Sequence, residues 1–300
     1  MPYPKLWVRK RQASAKKGTD GKIWVMSASG EPMIHNLPDR DRLSVLAAVI
    51  MLAFSLSHFV DVPVWEPGIQ LPGFYLSVRI SVQTVVLALV AALTAAGADW
   101  LFHDHPALQG RSSAPYWLLP SLTTFGIGVL LMELPFNPVW WASLFMAGIV
   151  LMLVLVGEYI SIDTQDVRQP FAAAILTAVA FALYLVLVVG LHLAELRLVY
   201  LMPWVFLATW LVSVRALHLR LQGEWAVYEA AVIAFIVAQF VAALIYWPLS
   251  PLTFGLLLLG PAYALNSLFF GLIEERPLRQ LLIEPAIALL LAIGAAVWTR

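Results

Sequence analysis

The sequence predicts an all-α integral membrane protein, a bundle of about nine transmembrane helices joined by short loops. Three observations lead there. Charged residues make up 12% of the chain and the mean hydropathy is +0.85, whereas soluble domains carry about 25% charged residues. The apolar residues come in long unbroken runs, not in the one-sided or alternating patterns of a core that faces water, so lipid has to be the solvent. Most of the 12 Trp stand at the ends of those runs, where amphipathic rings prefer the membrane interface.

The first 42 residues read as a basic cytoplasmic tail. Seven of the 18 Lys and Arg fall within the first 22 residues, although the chain is neutral overall. No apolar segment follows them before Leu43 and no small-residue cleavage site is apparent, so the first helix is expected to stay as an uncleaved anchor. The segment from Lys22 to His35, with Ser29-Gly30-Glu31-Pro32 at its middle, fits a small strand pair on a turn. It fits equally a basic tail lying against anionic lipid, with Trp7 and Trp24 dipping into the interface.

Residues 43–300 read as the polytopic domain. At about 20 mainly apolar residues per span, nine candidates follow, at 43–60, 75–98, 116–134, 139–160, 171–193, 197–215, 225–247, 252–273 and 278–298. Their short connections make neighbouring helices antiparallel. With the N-terminus in the cytoplasm, 15 of the 18 Lys and Arg lie on the inner side, leaving Arg79, Arg197 and Arg300 outside. This is the asymmetry of an inner-membrane protein, and an odd span count then puts the C-terminus outside. Three outer turns share proline and tryptophan: Asp61–Gly68, Pro135–Trp141 and Tyr246–Pro251.

Polar groups within the spans are the informative ones, because each costs about 2.5–3.5 kcal/mol to insert unless it finds a partner. Glu229, Asn266 and Glu284 fall at roughly 8–10 Å from the inner helix ends at 1.5 Å per residue. Together they form a candidate binding or proton site, with Ser121, Thr124 and Thr177 within reach of the same layer. Glu284 follows Arg279 by five residues, about 140° around a helix, so its partner has to come from elsewhere. One reading is a proton, cation or lipid-headgroup site; the other is a protonated Glu284 bonded to Asn266, locking two helices.

The turn between the last two spans carries Glu274, Glu275, Arg276 and Arg279. Pro277 suits a first helical position, with two acids ahead of it at the positive end of the helix dipole. Asp99, His103 and His105 are the one cluster of metal-ligand types, with i, i+4 spacing between the first two, although solvated interface residues need no metal. His58 and His192 lie near outer ends of parallel spans, but nothing brings them together as haem ligands. No cofactor is expected. With no Cys in the chain, disulfides, thiolate metal sites and cysteine nucleophiles are excluded. Phosphate loops, GxSxG and HExxH are absent. Nothing outside the tail suggests specific nucleic-acid binding.

Glu274, Glu275 and Arg279 spell EExxxR, and there the chain resembles the first motif of the CAAX-type intramembrane proteases. That family's paired glutamates and arginine work with histidines on later helices to activate water. Here no His follows His218 and Pro277 interrupts the motif. The basic head, the short-looped spans and the junction NSLFFGLIEERPLRQ (residues 266–280) are similar to bacterial multi-pass proteins grouped only as a domain of unknown function. That resemblance implies an uncharacterised inner-membrane protein. The leading expectation is a non-enzymatic scaffold, sensor or regulator of another membrane protein or of a second copy of itself, with anionic lipid at the tail. A solute, ion or lipid transporter using the inner polar layer, and an enzyme acting on a lipid-borne substrate, are the alternatives.

Overall fold

The computed structural model describes residues 15–17, 23–25, 38–57, 68–71, 74–77, 82–103, 105–108, 112–164, 166–221, 223–275 and 277–299. By backbone contacts the chain divides into a unit ending at Leu37 and a unit beginning at Pro38. In the first, β1 (Ala15–Lys17) pairs antiparallel with β2 (Ile23–Val25), Lys16 opposite Trp24. A strand does therefore fall in the predicted region, but its partner lies upstream, across Gly18 to Lys22. The turn expected at Ser29–Pro32 lies outside the described residues.

The second unit is helical, with one further hairpin. Nine long helices run α1 (Arg40–Ser57), α2 (Val82–Phe102), α3 (Ala114–Glu133), α4 (Pro138–Ile162), α5 (Gln169–Leu193), α6 (Leu198–Arg220), α7 (Val227–Leu244), α8 (Pro251–Ile273) and α9 (Leu278–Trp298) among the described residues. All but α1 are long and apolar enough to cross a membrane. The chain is thus a multi-pass helical membrane protein. Helix α1 opens with Arg40, Asp41 and Arg42. Its apolar part from Leu43 onward measures about 22 Å at 1.5 Å per residue, short of the ~30 Å hydrocarbon core.

Three boundaries differ from those the sequence suggested. The second span was expected from residue 75, but Phe74–Ser77 is strand β4, paired with β3 (Gly68–Leu71). Apolar content alone does not distinguish a strand from a helix start, and Pro72-Gly73 between the two runs is the turn signal that favours the hairpin. Arg40 and Arg42 belong to α1 and not to a tail. Helix α6 runs to Arg220, five residues past its expected end at 215.

Two of the three turns that share proline and tryptophan owe their proline to helix starts. The Asn137 side chain caps α4 by accepting from the N–H of Val139 at 2.9 Å and of Trp140 at 3.2 Å. Ser250 does the same for α8, taking the Thr253 N–H at 3.2 Å. In each case proline stands at the first helical position, where its missing N–H costs nothing. The third such turn falls mostly outside the described residues.

Two clusters of buried side chains form the core. One joins α1 to α4 through Leu46, Ile50, Phe54, Leu87, Leu144 and Leu155. The other joins α3 to α8 through Leu176, Tyr184, Val205, Leu217, Ile233 and Phe254. Helix α9 packs on α8, where Gly260 lets the backbones close. A Cβ there would stand 2.7 Å from the Ala292 Cβ. The opposite face of α9, including Leu282, Ile287, Leu290 and Val297, is exposed, as a face against acyl chains should be.

Candidate functional site

The end of the bundle where α4, α6 and α8 finish and α3, α7 and α9 begin gathers the interior polar side chains, and α6 organises them. Its last turns carry Ser213, Arg215, His218 and Arg220, which reach α8, α4, α3 and α9 respectively. Arg215 is 1% exposed and Glu158, on the last turns of α4, is fully buried. The Arg215 Nε donates to Glu158 Oε1 at 2.9 Å, and Nη2 donates to Glu158 Oε2. Ser161, one turn past Glu158, bonds both: its hydroxyl accepts from Arg215 Nη2 at 3.3 Å and lies 3.2 Å from Glu158 Oε2. The guanidinium also faces the Tyr116 ring of α3, 5.3 Å from its centroid.

This pair connects elements that are otherwise apart. Helices α4 and α6 are not among those whose backbones pack closely. The two long side chains reach across from α4, which carries Leu155 of one cluster and Val154 of the other, to α6. An ion pair this dry gains little net stability, because desolvation offsets the attraction. Removing one partner is costly all the same, since it strands a buried charge.

His218, one turn further along, is also buried. Its Nδ1 lies 3.3 Å from the backbone carbonyl of Glu224, and its ring packs against Tyr116 and Trp225 at 5.8 and 5.3 Å. Among the described residues, two atoms of this group have no hydrogen-bond partner: Arg215 Nη1 and His218 Nε2.

The sequence-predicted polar layer is present but divided. Asn266 is buried and donates to the Ser213 hydroxyl on α6 at 2.9 Å and to its own Ala262 carbonyl at 2.8 Å, leaving Oδ1 unpartnered. Glu284 turns to a different partner set. Its Oε1 accepts from the Tyr263 hydroxyl at 3.0 Å and from Arg220 at 3.4 Å, and Ser267 also bonds it. Tyr263 and Ser267 stand one turn apart on α8, so both face α9. The expected bond from Glu284 to Asn266 is therefore replaced by two separate links to α6, a turn or more apart. Glu229, in the first turn of α7, makes no hydrogen bond or ion pair among the described residues. The hydroxyls of Ser121, Thr124 and Thr177 donate to carbonyls of their own helices, four residues back, the usual fate of such groups in lipid-facing helices.

At the charged turn, α8 ends with Glu274, and Glu275 adopts a left-handed conformation with φ of 54°. Both are exposed, as is Arg279 on the first turn of α9. Pro277 is the residue just before the helix, not its first. Arg276 lies outside the described residues. Nothing here turns the EExxxR residues toward the bundle interior.

Among the described residues, two of the other histidines, His105 and His192, make ring-packing contacts. Asp99 accepts from the Ser113 hydroxyl, His103 is exposed, and His105 is buried edge-on to Tyr159 at 4.5 Å. Its Nδ1 accepts from the Ala107 N–H at 3.2 Å. Burial holds this imidazole below its ordinary value of 6.5, with Asp163 pulling the other way. Among the described residues no three His, Asp or Glu come together as metal ligands. His192 stacks on Phe254 at 4.3 Å, and His58 lies outside the described residues.

The Arg215–Glu158 pair is what sequence reasoning missed. By its charge, Arg215 reads as the end of its span. The signal available was the run Ala216-Leu217-His218-Leu219 beyond it, which continues the helix for another turn and leaves Arg215 inside the bilayer needing a partner.

Residues 62–299 match the family described as protein of unknown function (DUF5656). That is most of the chain, which therefore belongs to this family, as the resemblance to an uncharacterised group implied. Comparison with curated proteins and with solved structures finds no match.

Proposed function

We propose that this member of the family is a non-enzymatic membrane protein that scaffolds or regulates a membrane partner, and that the inner end of α6 is its working part. The observation that carries the reading is the buried Glu158–Arg215 pair, which links α4 to α6 although the two backbones do not pack closely. A bundle that needed only to hold together would do as well with apolar side chains in those positions, since such replacements are often neutral or stabilising. A charged pair in the bilayer interior points instead to a bond that specifies one arrangement of α4 against α6 and can be broken. Two acids on this end, the buried Glu158 and the half-exposed Glu284, are tied to arginines of α6. That commitment favours a structural coupling over acid–base catalysis. The division of the polar layer likewise favours it over a single transport site.

In this reading the basic head lies on the cytoplasmic side of a bacterial inner membrane, against anionic lipid. The Lys and Arg asymmetry supports that orientation. If α1 also crosses, the C-terminus lies outside, which reporter fusions at Arg300 test directly. The function itself is tested by crosslinking in cells followed by mild detergent extraction. Recovery of one stoichiometric membrane protein, or of a second copy of this chain, is expected. A lone monodisperse chain after crosslinking contradicts the proposal.

A further inference from the structure

Two unpartnered atoms beside the α4–α6 pair need an occupant. Buried polar groups are nearly always bonded, so each exception calls for an account. Arg215 and His218 are 1% and 4% exposed, they stand one turn apart on α6, and both pack against the ring of Tyr116. Arg215 Nη1 carries donors only. The Nδ1 of His218 is engaged with the Glu224 carbonyl, which only an N–H can do, so Nε2 either holds a bare lone pair or, with a second proton, becomes a donor.

From this geometry we infer that Arg215 Nη1 and His218 Nε2, flanked by Tyr116, form a binding site for one phosphate-type oxyanion. It rests on the reading of α6 as the working part and names that part's ligand. The charges support an anion with a proton. Glu158 neutralises Arg215, and Arg220 is taken by Glu284. The Tyr116 phenol and the Glu224 carbonyl add no charge toward the ring. A singly charged oxyanion that arrives with a proton for Nε2 leaves the site neutral and turns both orphan atoms into donors to it. With Nε and Nη2 held by Glu158, Nη1 still offers N–H donors to a phosphate oxygen. Arg215 lies about 7.5 Å from the end of α6 at 1.5 Å per residue, a depth that a lipid phosphate or a free phosphate reaches from the interface. Trp225, half exposed and packed on His218, is the ring that has to move aside for entry.

The test uses the full-length protein in detergent, with two probes: inorganic phosphate by calorimetry, and phosphatidylglycerol by native mass spectrometry. One of them is expected to bind at one per chain, more weakly as pH rises from 6 to 8. A phosphate-only result identifies a soluble ligand, and a lipid-only result a headgroup. His218→Leu should weaken binding by about tenfold or more. His218→Gln, which keeps a donor near Nε2 but does not titrate, should bind with the pH dependence gone. If neither probe binds the folded wild type, the inference fails. It fails equally if His218→Leu binds as well as wild type. Partner recovery is a separate readout, so loss of this site leaves the proposed scaffold or regulator standing.

Discussion

Replacing Glu158 with leucine strands the Arg215 guanidinium in the bundle interior. Nε and Nη2 lose the carboxylate, Nη1 has no partner to begin with, and only the Ser161 hydroxyl remains. Both partners are essentially unexposed, so no solvent screening softens the loss. The expected cost is about 3–5 kcal/mol, a large part of the roughly 5–15 kcal/mol that holds a folded protein together. Arg215→Met should cost a similar amount by leaving Glu158 unpaired. The double variant Glu158→Leu/Arg215→Met removes both charges and should lie near wild type or be more stable by about 1–4 kcal/mol. Simple additivity would instead put the double variant about 6–10 kcal/mol below wild type. Reversible unfolding in mixed micelles, followed by tryptophan fluorescence, measures all four corners of the cycle. Single variants within about 1 kcal/mol of wild type, as for an exposed ion pair, would refute the placement of this pair in a dry interior.

Four further outcomes are expected. Gly260→Ala should destabilise the bundle by about 1–3 kcal/mol, because its methyl would meet Ala292. Gly294→Ala, where nothing lies within 4 Å, should be neutral or stabilising by up to about 1 kcal/mol; equal effects of the two in the same unfolding assay would show that α8 and α9 do not pack this way. Glu275→Gly relieves a left-handed residue at the α8 end and should raise stability by about 1 kcal/mol, with a decrease counting against that backbone geometry. Glu284→Gln perturbs a half-exposed pair and should cost no more than about 1 kcal/mol. If a pH-dependent flux in reconstituted vesicles disappeared with it, the transporter reading would replace the present one.

The last concerns His105. Its folded-state pKa is lowered from 6.5, first by burial and against the pull of Asp163. The unfolded chain therefore binds a proton that the folded chain resists. The stability contributed by neutral His105 is complete above about pH 6.5 and is lost as pH falls below that value. His105→Asn, which keeps an acceptor for the Ala107 N–H, should flatten the pH dependence of the unfolding midpoint between about pH 5 and 7; an unchanged slope assigns it to other groups.

The class and most of the helices were legible because lipid imposes a coarse rule: some 20 apolar residues, short turns, tryptophan at the ends. Where that rule is silent, the reading failed for identifiable reasons. Phe74 to Ser77 is as apolar as a helix start, and only the Pro-Gly ahead of it marks a strand. At Arg215 the charge alone marks the end of a span, whereas a partner on α4, 57 positions back in sequence, lets the helix carry it inside. The candidate site was half legible for the same reason. Glu284 was known to need a partner on another helix, and Asn266 was known to lie inside. Which helix each would face depends on the rotation of α6, α8 and α9 about their axes, and a nearly uniform apolar surface does not encode that rotation.

The measurement that bears most directly on the central claim uses the variant expected to be stable but uncharged. Wild type and Glu158→Leu/Arg215→Met would be expressed at equal levels, crosslinked in cells and purified. A stoichiometric partner with wild type, and its loss from the well-folded double variant, is the result expected if the α4–α6 pair sets the arrangement a partner recognises. Equal partner yield from both proteins, or none from wild type, would contradict it.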